Sequence, residues 1–132
     1  MVDIGQRAEQ DWQKKLTPEQ FEVLRLRGTE APFTGKFVNH HEDGSYACAA
    51  CGNVLFESNT KYDSRCGWPS FFDAKKGSVE FHEDIRHGMS RTEVICANCG
   101  GHLGHIFDDG PAEHGGQRFC INSASLNFRR NS

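Results

Sequence analysis

Two copies of one short motif, Cys48-Ala49-Ala50-Cys51-Gly52 and Cys96-Ala97-Asn98-Cys99-Gly100, constrain this chain more than any other feature. In Cys-x-x-Cys-Gly a tight turn aims both sulfurs at one point, and the glycine relieves crowding behind them. Two such knuckles supply four thiolates, the closed tetrahedral shell of a structural zinc ion. The reading is one Zn2+ per chain, held by Cys48, Cys51, Cys96 and Cys99. The gap from Cys51 to Cys96 exceeds zinc-finger spacing, so the ion would join distant segments as a long-range staple. Four thiolates leave no open position, so this metal would hold structure and do no chemistry. Two rival readings are a thioredoxin-like redox motif, which normally sits near a βαβ pattern absent here, and plain buried thiols. His102 and His105 follow soon after Cys99 but are surplus as ligands once four cysteines are placed.

A chain of 132 residues with 14 glycines reads as one turn-rich, mostly β domain that gains from such a staple. The domain is taken as 1–132, with a helical segment over 1–28 and a β core over 29–130. Fifteen Lys+Arg against 18 Asp+Glu give a formal net charge of -3. With no basic run, the chain lacks the electrostatic footprint of a nucleic-acid binder. No apolar run is long enough for a membrane helix, and Met1 to Leu16 lacks the apolar stretch of a secretory signal. The expected address is therefore the cytoplasm, where free thiols and metal thiolates survive.

Thr17-Pro18-Glu19-Gln20 carries a helix start: Thr17 can cap, Pro18 suits the first turn and Gln20 can complete a capping box. Phe21, Val23 and Leu24 supply an apolar face, and Gly28 is the expected stop. Beyond Phe33 the pattern is of short strands. Lys36 to His41 and Ser45 to Ala47 flank Glu42-Asp43-Gly44, an expected hairpin turn. Val54 to Glu57, Ser78 to His82, Ser90 to Cys96, His105 to Phe107, Arg118 to Ile121 and Ser125 to Arg129 complete the set. Without βαβ alternation a parallel sheet is not expected.

Setting the four knuckle cysteines aside leaves Cys66 and Cys120. A free thiol is only slightly ionised at neutral pH, and a nearby cation raises that fraction. Arg118 lies two residues before Cys120. On a strand the two share a face, which favours Cys120 as an attacking thiol. Cys66 has Arg65 beside it and lies in Cys66-Gly67-Trp68-Pro69, a constrained turn whose Trp68 is a core plug or a pocket wall. Either cysteine could equally be a small buried hydrophobe. In Gly100-Gly101-His102-Leu103-Gly104-His105-Ile106-Phe107-Asp108, a regular strand would send His102 and His105 to opposite sides. The glycines favour a loop, which lets both rings converge.

Arg118-Phe119-Cys120-Ile121-Asn122-Ser123-Ala124-Ser125-Leu126, Cys66-Gly67-Trp68-Pro69-Ser70-Phe71 and His102-Leu103-Gly104-His105-Ile106-Phe107 together resemble the methionine-R-sulfoxide reductase family, MsrB, in its zinc-containing form. Gly28 to Gly35 is similar to that family's opening segment, and the likeness runs from about Leu16 to Phe128. The resemblance implies two antiparallel sheets forming a small barrel-like or tent-like core, with short N-terminal helices. It implies Cys120 as nucleophile and Cys66 as resolving thiol. Trp68 would meet the sulfoxide methyl, with Phe107 nearby. His102, His105 and Asn122 would organise the polar end, and Arg118 with Asp108 would form a charged support. Oxidised proteins would be the substrates, thioredoxin the reductant and the working unit a monomer. Two residues depart from the family pattern. Phe119 stands where tyrosine is common, and Arg65 stands where glycine is common. The alternatives left open are a non-catalytic zinc-ribbon binding module and a different thiol enzyme, such as a peroxide reductase.

Overall fold

Thr17 starts a helix in the way its chemistry directs. In the computed structural model, which describes residues 15–85 and 88–130, α1 (Pro18–Leu24) opens on a complete capping box. Thr17 Oγ1 accepts from the Gln20 N–H at 3.2 Å, and Gln20 Oε1 accepts from the Thr17 N–H at 3.0 Å. The buried face is Phe21, Val23 and Leu24, packed on β7 (His102–Phe107) and the turn at Ser123–Ser125. The helix stops before the expected Gly28. Arg27 takes the left-handed turn at φ 60, held by its guanidinium on Glu93. The part of the expected helical segment before Lys15 lies outside the described residues.

Among the described residues, every strand lies after residue 43 and every strand pairing is antiparallel. β1 (Gly44–Cys48) lies between β2 (Val54–Glu57) and β9 (Leu126–Arg130) in a three-stranded sheet. The second sheet holds β3 (Lys61–Tyr62), β4 (Ser70–Phe71), β8 (Arg118–Ile121), β7, β6 (Arg91–Cys96) and β5 (Val79–Asp84), in that order. One expected element is absent: residues 36–39 form turns rather than a strand. Glu42-Asp43-Gly44 therefore closes no hairpin, and β1 pairs with β2 and the distant β9 instead.

Tyr46, Leu55, Phe56, Phe71, Val94, Leu103, Ile121 and Leu126 are fully buried. Phe56 stacks on Phe71 with centroids 4.2 Å apart, and Phe119 meets Phe56 edge-on at 5.7 Å. Burying each such ring contributes about 2–3 kcal/mol. The alternation of β8 positions the site: Phe119 and Ile121 enter the core, which leaves Arg118 and Cys120 on the opposite face. The Phe119 departure is thus a core ring facing away from Cys120. Among the described residues, no helix is long and apolar enough to cross a membrane.

Candidate active site

Cys120 sits mid-sheet, paired with Ser70 of β4 on one side and His105 of β7 on the other. Gly104 is required beside it, because a Cβ there would collide with the Cys120 carbonyl. Cys66 reaches Cys120 from the loop between β3 and β4, with the two sulfurs 3.5 Å apart. That loop is pinned where it leaves Cys66: the Gly67 carbonyl accepts from the Phe33 N–H at 2.7 Å, and the Pro69 carbonyl accepts from the Ile121 N–H at 2.9 Å. Gly67, at φ 95, packs so close to Pro32 that a side chain would not fit. Arg65 occupies the left-handed region at φ 63, with its N–H on the Asp63 carboxylate. This is a conformation that glycine adopts at no steric cost.

Both sulfurs open onto a cleft of about 200 Å³, lined also by Thr29, Trp68, Arg91, Gly104, His105, Phe107, Arg118 and Asn122. The Trp68 indole N–H is already committed to the Glu30 carbonyl at 3.0 Å, so its carbon face is what it offers to the cleft. Arg118 covers one face of Phe107, with its guanidinium carbon 4.4 Å from the ring centroid. Its carboxylate partner is Asp109, at 2.8 and 3.2 Å, and not the expected Asp108, which is exposed and does not line the cleft. The Asn122 amide reaches the site wall but is largely occupied: it donates to the Leu103 carbonyl and accepts from the Glu30 N–H, both at 3.0 Å.

The two histidines lie on a strand, not in a loop. A register shift against β6 at Val94/Ile95 puts an extra residue into β7. Such a bulge turns the strand enough to bring both rings to one side, 5.5 Å apart. They differ in depth. His105 lines the cleft, and its Nε2 bonds to the buried Asp84 at 2.8 Å. His102 lies behind it, 1% exposed, with Nδ1 on Glu93 at 2.6 Å, and it does not line the cleft. Arg27 grips Glu93 with two 3.0 Å bonds and passes 3.9 Å from Asp84, while Arg91 lies 3.7 Å from Asp84. Burial pushes His105 below the usual imidazole range, and the Asp84 bond opposes that. Burial pushes Glu93 up, but bonds from His102 and Arg27 outweigh it and leave the carboxyl low.

The sulfur pair shares its protons. The hydrogen bond between the two sulfurs holds Cys66 well below the ordinary thiol range. The same bond, with burial, pushes Cys120 up, and Arg118 pulls it down by less. Arg118 therefore draws Cys120 toward its thiolate, against burial and the contact with Cys66. Asp84, Glu93, Arg27, Ser70 and Glu30 were not singled out from the sequence.

Cys48, Cys51, Cys96 and Cys99 bring four sulfurs within 4.8 Å of one another, a group that could hold a metal ion, and none of the four lines the cleft. The knuckle turns close through Gly52 N–H to the Cys48 carbonyl and Gly100 N–H to the Cys96 carbonyl, each 2.8 Å.

The chain's resemblances agree with this geometry. The SelR domain family matches residues 16–130. The peptide methionine sulfoxide reductase MsrB of Leptospira interrogans serogroup Icterohaemorrhagiae serovar Lai is 54% identical over 125 residues, covering 94% of this chain and 95% of that protein. That of Agrobacterium fabrum is 55% identical over 123 residues, with 92% and 90% covered, and that of Methanosarcina mazei 53% over 126 residues, with 95% and 89% covered. The crystal structure of the Mis18 "Yippee-like" domain superposes with a TM-score of 0.53 at 17% identity, over 69% of this chain and 99% of that one, a likeness of fold alone. Matched by the SelR domain along nearly its whole length, and by these relatives across both chains, the chain belongs to the peptide methionine sulfoxide reductase MsrB family.

Proposed function

We propose that the protein is an enzyme reducing the R epimer of methionine sulfoxide in oxidised proteins, with Cys120 as nucleophile, Cys66 as resolving thiol and thioredoxin as reductant. One observation carries this reading: two sulfurs 3.5 Å apart open onto a cleft with an aromatic side and an acid–base side. A non-catalytic zinc ribbon would have no use for such a pair.

A sulfoxide sulfur bears a methyl, an oxygen and the side-chain stem, so choosing one epimer takes distinct subsites for each. Trp68, with the edge of Phe107, suits the methyl. His105 suits the oxygen. Cys120 meets the sulfur between them. As Cys66 gives way to the substrate, Cys120 loses the bond that holds its proton, and Arg118 then favours its thiolate. Attack drives the sulfoxide oxygen toward an anion, which must be protonated to leave. His105 is the general acid, because it lines the cleft; His102 supports it from behind. The protonated oxygen ends on the Cys120 sulfur: the S–O bond to the substrate breaks, the methionine sulfur departs with the electron pair and is reduced, and Cys120 is oxidised to a sulfenic acid. Cys66 condenses with that sulfenic acid, releasing water and leaving a disulfide. Exchange with a dithiol restores both thiols.

Zinc suits the four-cysteine group. Tetrahedral Zn–S bonds put neighbouring sulfurs about 3.8 Å apart, against 3.7 Å for Cys48 to Cys99 and 3.6 Å for Cys51 to Cys96. The ion would clamp the two knuckles together, outside the lining of the cleft. An assay with separated R and S dabsyl-methionine sulfoxide and a dithiol tests the activity. Consumption of R alone is expected; equal use of S, or of neither, overturns the reading.

A further inference from the structure

The sulfur pair has a polar neighbour to which this reaction gives no role. Ser70 faces Cys120 across the β4–β8 pairing and is 1% exposed. Its Oγ lies 3.2 Å from Cys66 Sγ, 2.6 Å from Ser64 Oγ and 3.2 Å from the Trp68 carbonyl. Ser64 Oγ also accepts from the Cys66 N–H at 3.3 Å. A serine hydroxyl carries one rotatable proton and two acceptor sites. With Cys66 a thiol, Ser70 can direct its proton to the Trp68 carbonyl. With Cys66 a thiolate, Ser64 donates to Ser70, and Ser70 turns its own proton onto the sulfur. The change needs only two hydroxyl rotations.

We propose that Ser70, backed by Ser64, is a further catalytic group: its hydroxyl stabilises the Cys66 thiolate that attacks oxidised Cys120. This rests on the reading of Cys66 as the resolving thiol. In that step the Cys66 thiolate forms the S–S bond as the S–O bond of the Cys120 sulfenic acid breaks. The oxygen leaves as hydroxide and takes up a proton to become water. Cys66 is oxidised and the Cys120 sulfur reduced. The charged and titratable groups around Cys66 are Cys120 and Arg118 of β8, His105 of β7, Arg91 of β6 and Tyr62 of β3, with Asp63 and Arg65 on its own loop. All but Cys120, which is serine in both proteins compared below, are retained when Ser70 is changed, so the comparison isolates the hydroxyl.

Losing a hydrogen bond to a charged group raises the thiol by about one pKa unit, a roughly tenfold loss of thiolate where Cys66 is mostly protonated. The thiolate that remains is about threefold more nucleophilic, from a Brønsted coefficient near 0.45. Exchange should therefore be about three- to fourfold slower at low pH and about threefold faster once Cys66 is fully ionised, so the two pH–rate curves cross. The full-length Cys120→Ser protein, with and without Ser70→Ala, is reacted with dipyridyl disulfide across pH, and labelling of Cys66 is mapped by peptide mass. Crossing curves are expected. A uniform slowing at every pH, or superimposable curves, overturns the proposal. Ser64→Ala in the same background should shift the curve the same way by less; if Ser70→Ala does not fold, an unshifted Ser64→Ala curve overturns it instead. Cys66→Ser in the otherwise native enzyme separates the two ideas: normal recycling with thioredoxin would end the resolving role whatever the curves do. Stalling together with curves that do not cross would end the Ser70 role alone.

Discussion

Replacing Asp84 by Asn should move the proton donor of this site without touching its sulfurs. Asp84 is 1% exposed and bonds His105 Nε2 at 2.8 Å, while burial works against the imidazolium. The sign follows from those opposing effects. Burial lowers the His105 pKa and the Asp84 charge raises it, so removing that charge lowers it further and leaves less imidazolium at neutral pH. A hydrogen bond between charged partners contributes about 1.5–3 kcal/mol, equivalent to about one to two pKa units. Where His105 limits the reaction, methionine release at neutral pH should therefore fall about tenfold to a hundredfold, and the gap to the parent should close on acidification. The assay is single-turnover methionine release across pH, in a Cys66→Ser background so that recycling does not limit. The limb of the profile that reports His105 should move to lower pH by about one to two units, while the limb that reports Cys120 should stay. His105→Ala should remove the sensitivity to Asp84→Asn. A profile in which neither limb moves, or a loss of rate equal at every pH, would refute the assignment of His105 as the acid tuned by Asp84.

Cys120→Ser should abolish turnover with the thermal unfolding midpoint close to that of the parent; retained turnover removes it as nucleophile. Cys66→Ser should reduce about one equivalent of sulfoxide and then stall with thioredoxin, because condensation lacks its second thiol, and quenched-flow counting of methionine checks this. Glu93→Gln should destabilise by about 1.5–3 kcal/mol at neutral pH, measured by urea unfolding. Because the folded carboxyl is held low, its contribution is present above the ordinary glutamate range and is lost as pH falls through the folded value, so the variant should also show a flatter acid limb of stability. Purified protein should carry one zinc per chain, and Cys99→Ala should lose both the metal and much of the stability; a folded, metal-free sample with full activity would remove the ion from this account.

The readings that came true in the fold were those resting on local chemistry. Thr17 and Gln20 cap a helix because they sit three residues apart. Arg118 and Cys120 share a face because β8 alternates. The absent strand at 36–39 shows the limit of local pattern: β1 found a better partner in β9, some eighty residues on in sequence. Arg65 shows another limit. A residue that prefers φ below zero is held at φ 63 by the Asp63 bond and the pinned loop.

Motif and spacing alone determined the chemical inventory: four cysteines grouped apart from two, the arginine beside Cys120, the tryptophan turn and a pair of histidines. Tertiary structure alone decided which of these meet. It put Asp109, not Asp108, on Arg118; it set His105 in the cleft and His102 behind it; and it brought Asp84, Glu93 and Ser70 to the site from other strands. The physical reason is that periodicity along one strand tells which way a side chain points. What it points at depends on register with neighbours, and one bulge between β6 and β7 was enough to change that.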